Sequence, residues 1–273
     1  MLINLTSENI KDSINKSFYF PMGEFHLQLK DNQDTTCTIL YQHPRDIMQL
    51  ALAVNAAYHM DKYIHVIIPY LPYARQDRIC NINEPNSSEV FCEFLNGLPI
   101  NEITIFDPHS LSSYSRLLTN LNIIEQHTLA INVINSDTTI DYIIAPDKGS
   151  VEKAKKLSDL SGLPLVICNK VRDSNTGKLS GFEIIEGKEN NHGLMVDDIG
   201  DGCGTMVGLR QLFTNEVTLY VTHGGFTKGM GPLSCFESIW TTNSLCHGDQ
   251  LFEDAKFIKK KFHEIDIWSQ FTL

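Results

Sequence analysis

Long apolar runs are missing from this 273-residue chain. No stretch approaches the ~20 apolar residues that a membrane-crossing helix needs. The opening residues, Met1 to Ser17, show no basic segment followed by an apolar one, so no secretory signal peptide is expected. Positive charge is scarce: 22 Lys and Arg stand against 33 Asp and Glu, a formal net charge of −11. That balance argues against a nucleic-acid or anionic-membrane surface, although local Arg, Lys and metal ions can still hold polyphosphates. Cys37, Cys80, Cys92, Cys168, Cys203, Cys235 and Cys246 are an odd set with no Cys-x-x-Cys pair. Neither a zinc site nor a disulfide framework is indicated, and a reducing cytoplasm is the expected compartment. Low-complexity segments and short-period repeats are absent as well. What remains is a globular apolar fraction of 42% and length enough for two α/β domains.

The apolar pattern alternates between strand and helix periods. Residues 1–36 are polar with scattered apolar positions and include Phe20-Pro21-Met22-Gly23-Glu24. Thr36–Tyr41 reads as a strand, and Pro44 opens a helix with Ile47, Leu50, Ala51 and Val54 on one face. Tyr63–Tyr70 is near-continuously apolar, as a central parallel strand would be, and it runs into a loop, Leu71–Arg78. Ser87–Leu95 is helical in pattern, with Ser87 or Ser88 as its N-cap. Glu102–Asp107 is the next strand, followed by Pro108-His109 and a helix near 112–121. After an interruption near 125–137 the pattern restarts. Strand Ile140–Ala145 runs into Pro146-Asp147-Lys148-Gly149-Ser150, helix Val151–Leu160 follows, and strand Leu163–Cys168 ends at Asn169-Lys170-Val171-Arg172. Residues 173–181 read as a hairpin tip continued by Phe182–Glu186, Val217–Thr222 as a later strand, and 251–262 as a Lys-rich amphipathic stretch. The βαβ alternation predicts two parallel-sheet domains, 1–130 and 131–273, with ligands at the carboxyl ends of strands. A C-terminal segment packed back on the first domain is compatible with the pattern.

Chemistry-bearing residues gather where these strands end. Gly193–Val196 leads into the acidic pair Asp197-Asp198, then the loop Asp201-Gly202-Cys203-Gly204-Thr205, then a helix from Met206 to Phe213. Backbone N–H groups of such a loop suit an anion, and carboxylates accept hydrogen bonds from vicinal hydroxyls. Together they suit a phosphorylated sugar. Arg75-Gln76-Asp77-Arg78 offers guanidinium forks for triphosphate oxygens, with Gln and Asp to orient hydroxyls and ammonium groups.

Val196–Thr205 resembles the ribose-phosphate loop of the type I phosphoribosyltransferase fold, VDDxxDTGGT. Tyr70-Leu71-Pro72-Tyr73-Ala74-Arg75-Gln76-Asp77-Arg78 closely resembles the YxxYARQDR signature of ribose-phosphate pyrophosphokinases. Further matches follow in family order and cover most of the chain. The resemblance implies an α/β fold of two type I phosphoribosyltransferase-like domains, each a mainly parallel sheet flanked by helices. It implies ATP on the domain 1–130 and the ribose phosphate on the domain 131–273. The family reaction moves the β,γ-diphosphoryl group of Mg-ATP to the anomeric hydroxyl of a ribose phosphate and releases AMP.

Roles carried over by resemblance are specific to positions. Phe20 and Glu24, within a segment like FSDGE, would meet adenine, while Arg75, Gln76, Asp77 and Arg78 would hold ATP. Asp107-Pro108-His109 resembles DLHA, placing His109 near the ATP phosphates and Mg²⁺. Ala145–Gly149 resembles SPDxGG, whose Asp, here Asp147, helps hold Mg²⁺. Asn169–Arg172 resembles DKxR, making Lys170 and Arg172 the catalytic cations. Asp197 and Asp198 would position the ribose, and Asp201, Gly202, Cys203, Gly204 and Thr205 its 5-phosphate. The family is usually hexameric, with an ATP site across a subunit interface, so a dimer-based homo-oligomer is expected, with no nucleic-acid or membrane partner.

Departures from the family pattern bear on the acceptor. Met22 replaces Asp, and the segment after Arg78 is ICNINEPNSS with Glu84 and no Arg, where a basic segment is usual. Gly202 and Cys203 replace the Thr and Gly of DTGGT. Losing one charge-assisted phosphate bond costs about 1.5–3 kcal/mol, while the opening at Gly202 would admit a substituted phosphate and Cys203 would narrow one wall. Some viral relatives make ADP-ribose pyrophosphate on the way to rebuilding NAD, so ADP-ribose is narrowly favoured over ribose 5-phosphate as acceptor. Two other classes share parts of the pattern: a phosphoribosyltransferase that consumes PRPP, and a non-catalytic regulatory homologue. The first lacks YARQDR; the second would be expected to lose Lys170, Asp197 or Asp198.

Overall fold

A computed structural model describes residues 1–6, 13–42, 46–172, 179–245, 261–269 and 271, with only the backbone of Arg172 and Leu179. Pro44, the tip residues 173–178 and most of the Lys-rich stretch 251–262 lie outside them. The chain divides into two compact units, Met1–Ile124 and Glu125–Phe271.

In the first unit, strands β1 (Leu2–Leu5), β4 (Thr36–Tyr41), β5 (Tyr63–Ile68), β6 (Glu102–Phe106) and β7 (Leu121–Ile124) lie side by side in that order, all parallel. An antiparallel hairpin, β2 (Ile14–Tyr19) and β3 (Phe25–Leu29), stands apart as its own sheet. Helices α1 (Ile47–Tyr58), α2 (Ser87–Asn96) and α3 (Leu111–Leu117) complete the unit. The continuous apolar run of β5 is buried from Val66 to Ile68, as a strand covered on both faces requires. Leu50, Ala53, Val54 and Ala57 form the buried stripe of α1, whose first turn is capped by the Asp46 carboxylate accepting from Met48 N at 2.8 Å.

Three local readings are corrected here. The hairpin β2–β3 arises within residues predicted to be largely polar, because only Ile14, Leu27 and Leu29 are buried, with Phe25 half-buried against the same core, while the other face meets solvent. The cap of α2 is Asn86, not Ser87 or Ser88, its side chain accepting from Glu89 N at 3.4 Å. The helix expected near 112–121 stops at Leu117, and Asn120, at φ 54°, turns the chain into β7.

The second unit begins with α4 (Gln126–Ser136), in the span read as an interruption; it lacks a side-chain cap and shows only Gln126, Leu129, Ala130 and Val133 to the core. Then follow β8 (Tyr142–Ala145), α5 (Val151–Ser161), β9 (Leu165–Arg172), β10 (Leu179–Glu186), β11 (His192–Gly200), α6 (Gly204–Arg210), β12 (Glu216–Gly224), β13 (Ile239–Thr242) and β14 (Phe262–Ile265). The sheet order is β10-β9-β8-β11-β12-β13-β14, parallel except for the β9–β10 pair. β11 is therefore central, and its acidic end lies beside the ends of β8 and β12. The six described cysteines are all free, and among the described residues no helix is long and apolar enough to cross a membrane.

Ser88 links fold to loop. Its hydroxyl, fully buried, donates to Tyr73 O at 2.6 Å and lies 3.1 Å from Tyr114 Oη. Ser88→Ala is expected to cost about 1–3 kcal/mol of unfolding free energy in urea, because it removes a buried hydrogen-bond partner. An unchanged midpoint would show that the bond contributes nothing net.

Candidate active site

β5 delivers the chain into the Tyr70–Arg78 loop at the carboxyl end of the first sheet. Leu71 and Ala74 are each 3% exposed and anchor the loop, while Arg75, Gln76 and Arg78 project outward. Tyr73 adopts φ 65°, a conformation that costs a non-glycine residue roughly 1–2 kcal/mol. Three bonds hold it there: Gln76 N and Ser88 Oγ donate to Tyr73 O at 2.8 and 2.6 Å, and Ser88 N donates to Gln76 O at 3.1 Å. Tyr70, Tyr73, Arg75 and Gln76 line a cavity of about 460 Å³. An aromatic-walled hollow with a guanidinium at its rim is suited to a phosphorylated ligand.

Phe20 and Glu24 sit at the tip of the β2–β3 hairpin, both exposed. Phe20 N donates to Glu24 O, and Gly23 N to Phe20 O, each at 2.8 Å, with Gly23 at φ 98° closing the turn. Phe18, Phe20 and His26 form an aromatic group, with Phe18 and Phe20 edge-on at 4.9 Å. His109 is exposed just past β6, after Asp107, which is buried at φ 36° and donates its N–H to Ile124 O at 2.8 Å.

Acids and lysines converge at the carboxyl ends of β8, β9 and β11 in the second unit. Asp147 follows β8; its Oδ1 accepts from Gly149 N at 3.0 Å and Ser150 N at 3.2 Å, which binds the carboxylate to the start of α5. Its Oδ2 accepts from Lys170 Nζ at 2.8 Å. Asp198 is nearly buried, and its Oδ2 accepts from Lys153 Nζ at 2.8 Å. Asp197 accepts from Asp198 N at 3.0 Å. Burial, then the charges of Asp198 and Asp147, push the Asp197 carboxyl well above the usual carboxylate range. Lys153 was not among the sequence candidates. Its place in the first turn of α5, six residues past Asp147, was the available signal. Arg172 lies at the end of β9.

The glycine-rich loop follows β11. Gly225 N and Phe226 N both donate to Gly200 O at 2.8 Å, Thr227 N to Asp201 O at 3.1 Å, and Thr227 Oγ1 to Asp201 Oδ1 at 2.6 Å. The segment after β12 is thus strapped to the loop, which no local pattern announced. Cys203 takes φ 50° as the N-cap of α6, a position where glycine would be relaxed. Its thiol points inward: it is 7% exposed and packs in the core with Met206 and Leu209. The expected narrowing of the loop wall by Cys203 is therefore corrected, since the added bulk lies beneath the loop.

The phosphoribosylpyrophosphate synthetase of Mycobacterium smegmatis matches the fold with a TM-score of 0.75, covering 94% of this chain and 87% of that one at 20% identity. The class is accordingly α/β, with phosphoribosyltransferase-like folds built on mainly parallel sheets flanked by helices. Residues 17–98 match the family described as the N-terminal domain of ribose phosphate pyrophosphokinase. A ribose-phosphate pyrophosphokinase of Pyrococcus abyssi is 31% identical over 223 residues, 77% of this chain and 76% of that protein. One from Mycoplasmopsis pulmonis is 27% identical over 267 residues, 91% of this chain and 80% of that protein. The chain belongs to the ribose-phosphate pyrophosphokinase family and is an enzyme of the diphosphotransferase class.

The raised Asp197 carboxyl has a measurable consequence. An acid whose pKa rises on folding binds its proton more tightly in the folded state. Its stabilising contribution is full below about pH 4 and is lost as pH climbs through the raised value. Ligand-free protein is expected to lose urea stability across that window, and Asp197→Asn to flatten the decline. Equal slopes in the two proteins would show that Asp197 titrates as an ordinary carboxylate.

Proposed function

We propose that the chain transfers the β,γ-diphosphoryl group of Mg-ATP to the anomeric hydroxyl of a 5-phosphorylated ribose. The observation that carries this reading is the pairing of Lys170 with Asp147 at 2.8 Å beside the Asp197–Asp198 pair, at adjacent strand ends. In the reaction the anomeric oxygen bonds to the β-phosphorus, the bond from that phosphorus to the α–β bridging oxygen breaks, and AMP leaves with that oxygen. The proton of the anomeric hydroxyl passes to solvent. Phosphoryl-type transfer needs positioning and charge more than covalent catalysis. Asp197 and Asp198 accept from the ribose hydroxyls and fix the nucleophile. Lys170 rests on Asp147 without substrate and shifts its ammonium to the transferred oxygens when ATP binds, with Arg172 as the second cation.

Arg75, Gln76, Asp77 and Arg78 take the ATP phosphates, while Phe20 stacks on adenine and Glu24 accepts from its amine, within a dimer-based homo-oligomer. Among the described residues no group of three or more His, Cys, Asp or Glu is placed to cage a metal. The half-exposed Asp147 carboxylate is a donor of the kind Mg²⁺ takes, since that ion keeps its waters and binds through one or two carboxylates plus substrate phosphates. Asp147, with His109 near the phosphates, would hold it, and when bound it would neutralise charge on the transferred group. Loop 201–205 receives the 5-phosphate.

The finer reading names ADP-ribose as the acceptor, giving ADP-ribose pyrophosphate. An internal phosphate of a diphosphate carries about one negative charge and a bulky continuation, so it asks for fewer donors than a terminal dianion and for an open side. Gly202 in place of a hydroxylated residue removes one short donor from the loop, which supports that; the opening expected at Gly202 is corrected, since the flexible Lys228 stem lies there, and the Cys203 thiol points away into the core.

Two measurements test the reading. Lys170→Ala should fold normally and release AMP at least about a hundredfold more slowly; wild-type turnover would remove Lys170 from the site. ADP-ribose should show a kcat/KM at least about tenfold above ribose 5-phosphate, with products identified by mass spectrometry. Gly202→Thr with Cys203→Gly should shift preference back, and equal or better use of ribose 5-phosphate by the wild type would defeat the ADP-ribose assignment.

A further inference from the structure

The turn after β12 brings a lysine onto the glycine-rich loop. Gly229 N donates to Phe226 O at 2.8 Å, so Thr227 and Lys228 are the two corner residues of a tight turn. Phe226 at φ 44° and Gly229 at φ 69° shape it, and the four bonds from residues 225–227 to Gly200 and Asp201 fix it against the loop. The Lys228 stem lies along Gly202: a Cβ at position 202 would stand 3.2 Å from Cε, 3.3 Å from Cδ and 3.5 Å from Cγ of the lysine. Only a residue without a side chain lets the stem occupy this place undisturbed. A β-branched residue would bring further atoms toward the same space, and the flexible stem would have to shift to make room.

The stem therefore carries its ammonium to the rim of the loop. Lys228 is exposed, and no hydrogen bond or ion pair engages its ammonium among the described residues. Holding a long side chain over a loop costs rotamer entropy, and nothing within the described protein offsets that cost at the charged end. An anion arriving at the loop would. An ammonium is a compact charge with three donors on a flexible stem, so it can follow phosphate oxygens that lie beyond the reach of a short hydroxyl.

We propose that Lys228 is a specificity-determining residue of the acceptor site, donating from its ammonium to the 5-phosphoryl group of the acceptor. It takes the place of the hydroxyl donor that position 202 lacks. The inference rests on loop 201–205 being the acceptor's phosphate cradle. Gly202 and Lys228 form a pair: the first makes room and the second supplies the charge.

The test uses Lys228→Met, which keeps a stem of similar length and removes the charge, with ADP-ribose and ribose 5-phosphate as acceptors. KM for the acceptor that the wild type uses should rise at least about tenfold, with kcat and the KM for ATP changed less than about threefold. Calorimetric titration of the same acceptor without ATP should show the same loss. Lys228→Arg should retain most of the affinity, and Gly202→Thr with Lys228→Gly should regain part of what Lys228→Met loses. Asp198→Asn reports separately on whether the acceptor binds at this strand end and its loop. If Asp198→Asn weakens acceptor binding and Lys228→Met does not, the lysine is merely solvated and the inference falls alone. If neither variant affects acceptor binding, the acceptor-site assignment, loop 201–205 included, falls with it. A rise in the KM for ATP alone would move Lys228 to the donor and overturn the proposal.

Discussion

Adjacent carboxylates at the end of a buried strand repel each other, and burial weakens the water screening that would ease the repulsion. Asp197 and Asp198 are in this position at the end of β11, the central strand of the second sheet. The surrounding structure reads as a response to that constraint. Lys153 from α5 neutralises Asp198, the backbone N–H of Asp198 supports Asp197, and Lys170 holds the third acid, Asp147, at 2.8 Å. Each lysine comes from an element next to β8, so the parallel order β9-β8-β11 is what brings the charges together. Asp197 remains the least compensated member. That leaves a site whose charge balance is open to change by incoming hydroxyls and cations, which is the condition for preorganised electrostatics to act on a substrate rather than on itself.

The first unit follows a different logic. Its charged loop is tied to a buried serine through backbone groups, with Ser88 Oγ donating to Tyr73 O and Ser88 N to Gln76 O. Tyr73 sits in a left-handed conformation that local preference opposes, and the bonds to Tyr73 O from Gln76 and Ser88 oppose its relaxation. The effect is to turn Arg75 and Gln76 outward beside Tyr70 and Tyr73 around one cavity. Strain of this kind persists only where the surroundings over-determine it. Here they do so through α2, which is why the N-terminal turn of a helix well outside the motif matters to the motif's geometry.

A third coupling joins the glycine-rich loop to the segment after β12. Gly200 O takes two amides and Asp201 takes an amide and a hydroxyl from that segment, so the loop cannot reshape without it. The two departures of the loop from the family pattern therefore act in different places. Cys203 changes the underside, where its thiol fills core space at the cost of an unfavourable φ. Gly202 changes the upper surface, where the Lys228 stem lies.

Strand periodicity alone identified β4, β5, β6, β8 and β12 within a residue or two, and with them a parallel α/β architecture, because buried parallel strands must be apolar almost throughout. Motif spacing likewise placed Arg75, Asp147, Lys170, Asp197 and Asp198 at strand ends, since a side chain's position along a strand is a local property. The hairpin β2–β3, the strand β7 and the helix α4 were missed, because each shows the core too few apolar residues for a period to stand out. No string of residues could announce that Lys153 reaches Asp198, that Ser88 fixes Tyr73, or that Lys228 covers Gly202. Those contacts join residues 45, 15 and 26 positions apart. Sequence determined which chemical groups stand at the strand ends. Only the tertiary structure decided which cation meets which acid and which way Cys203 points, because those outcomes depend on strand order and on turns packed from distant parts of the chain.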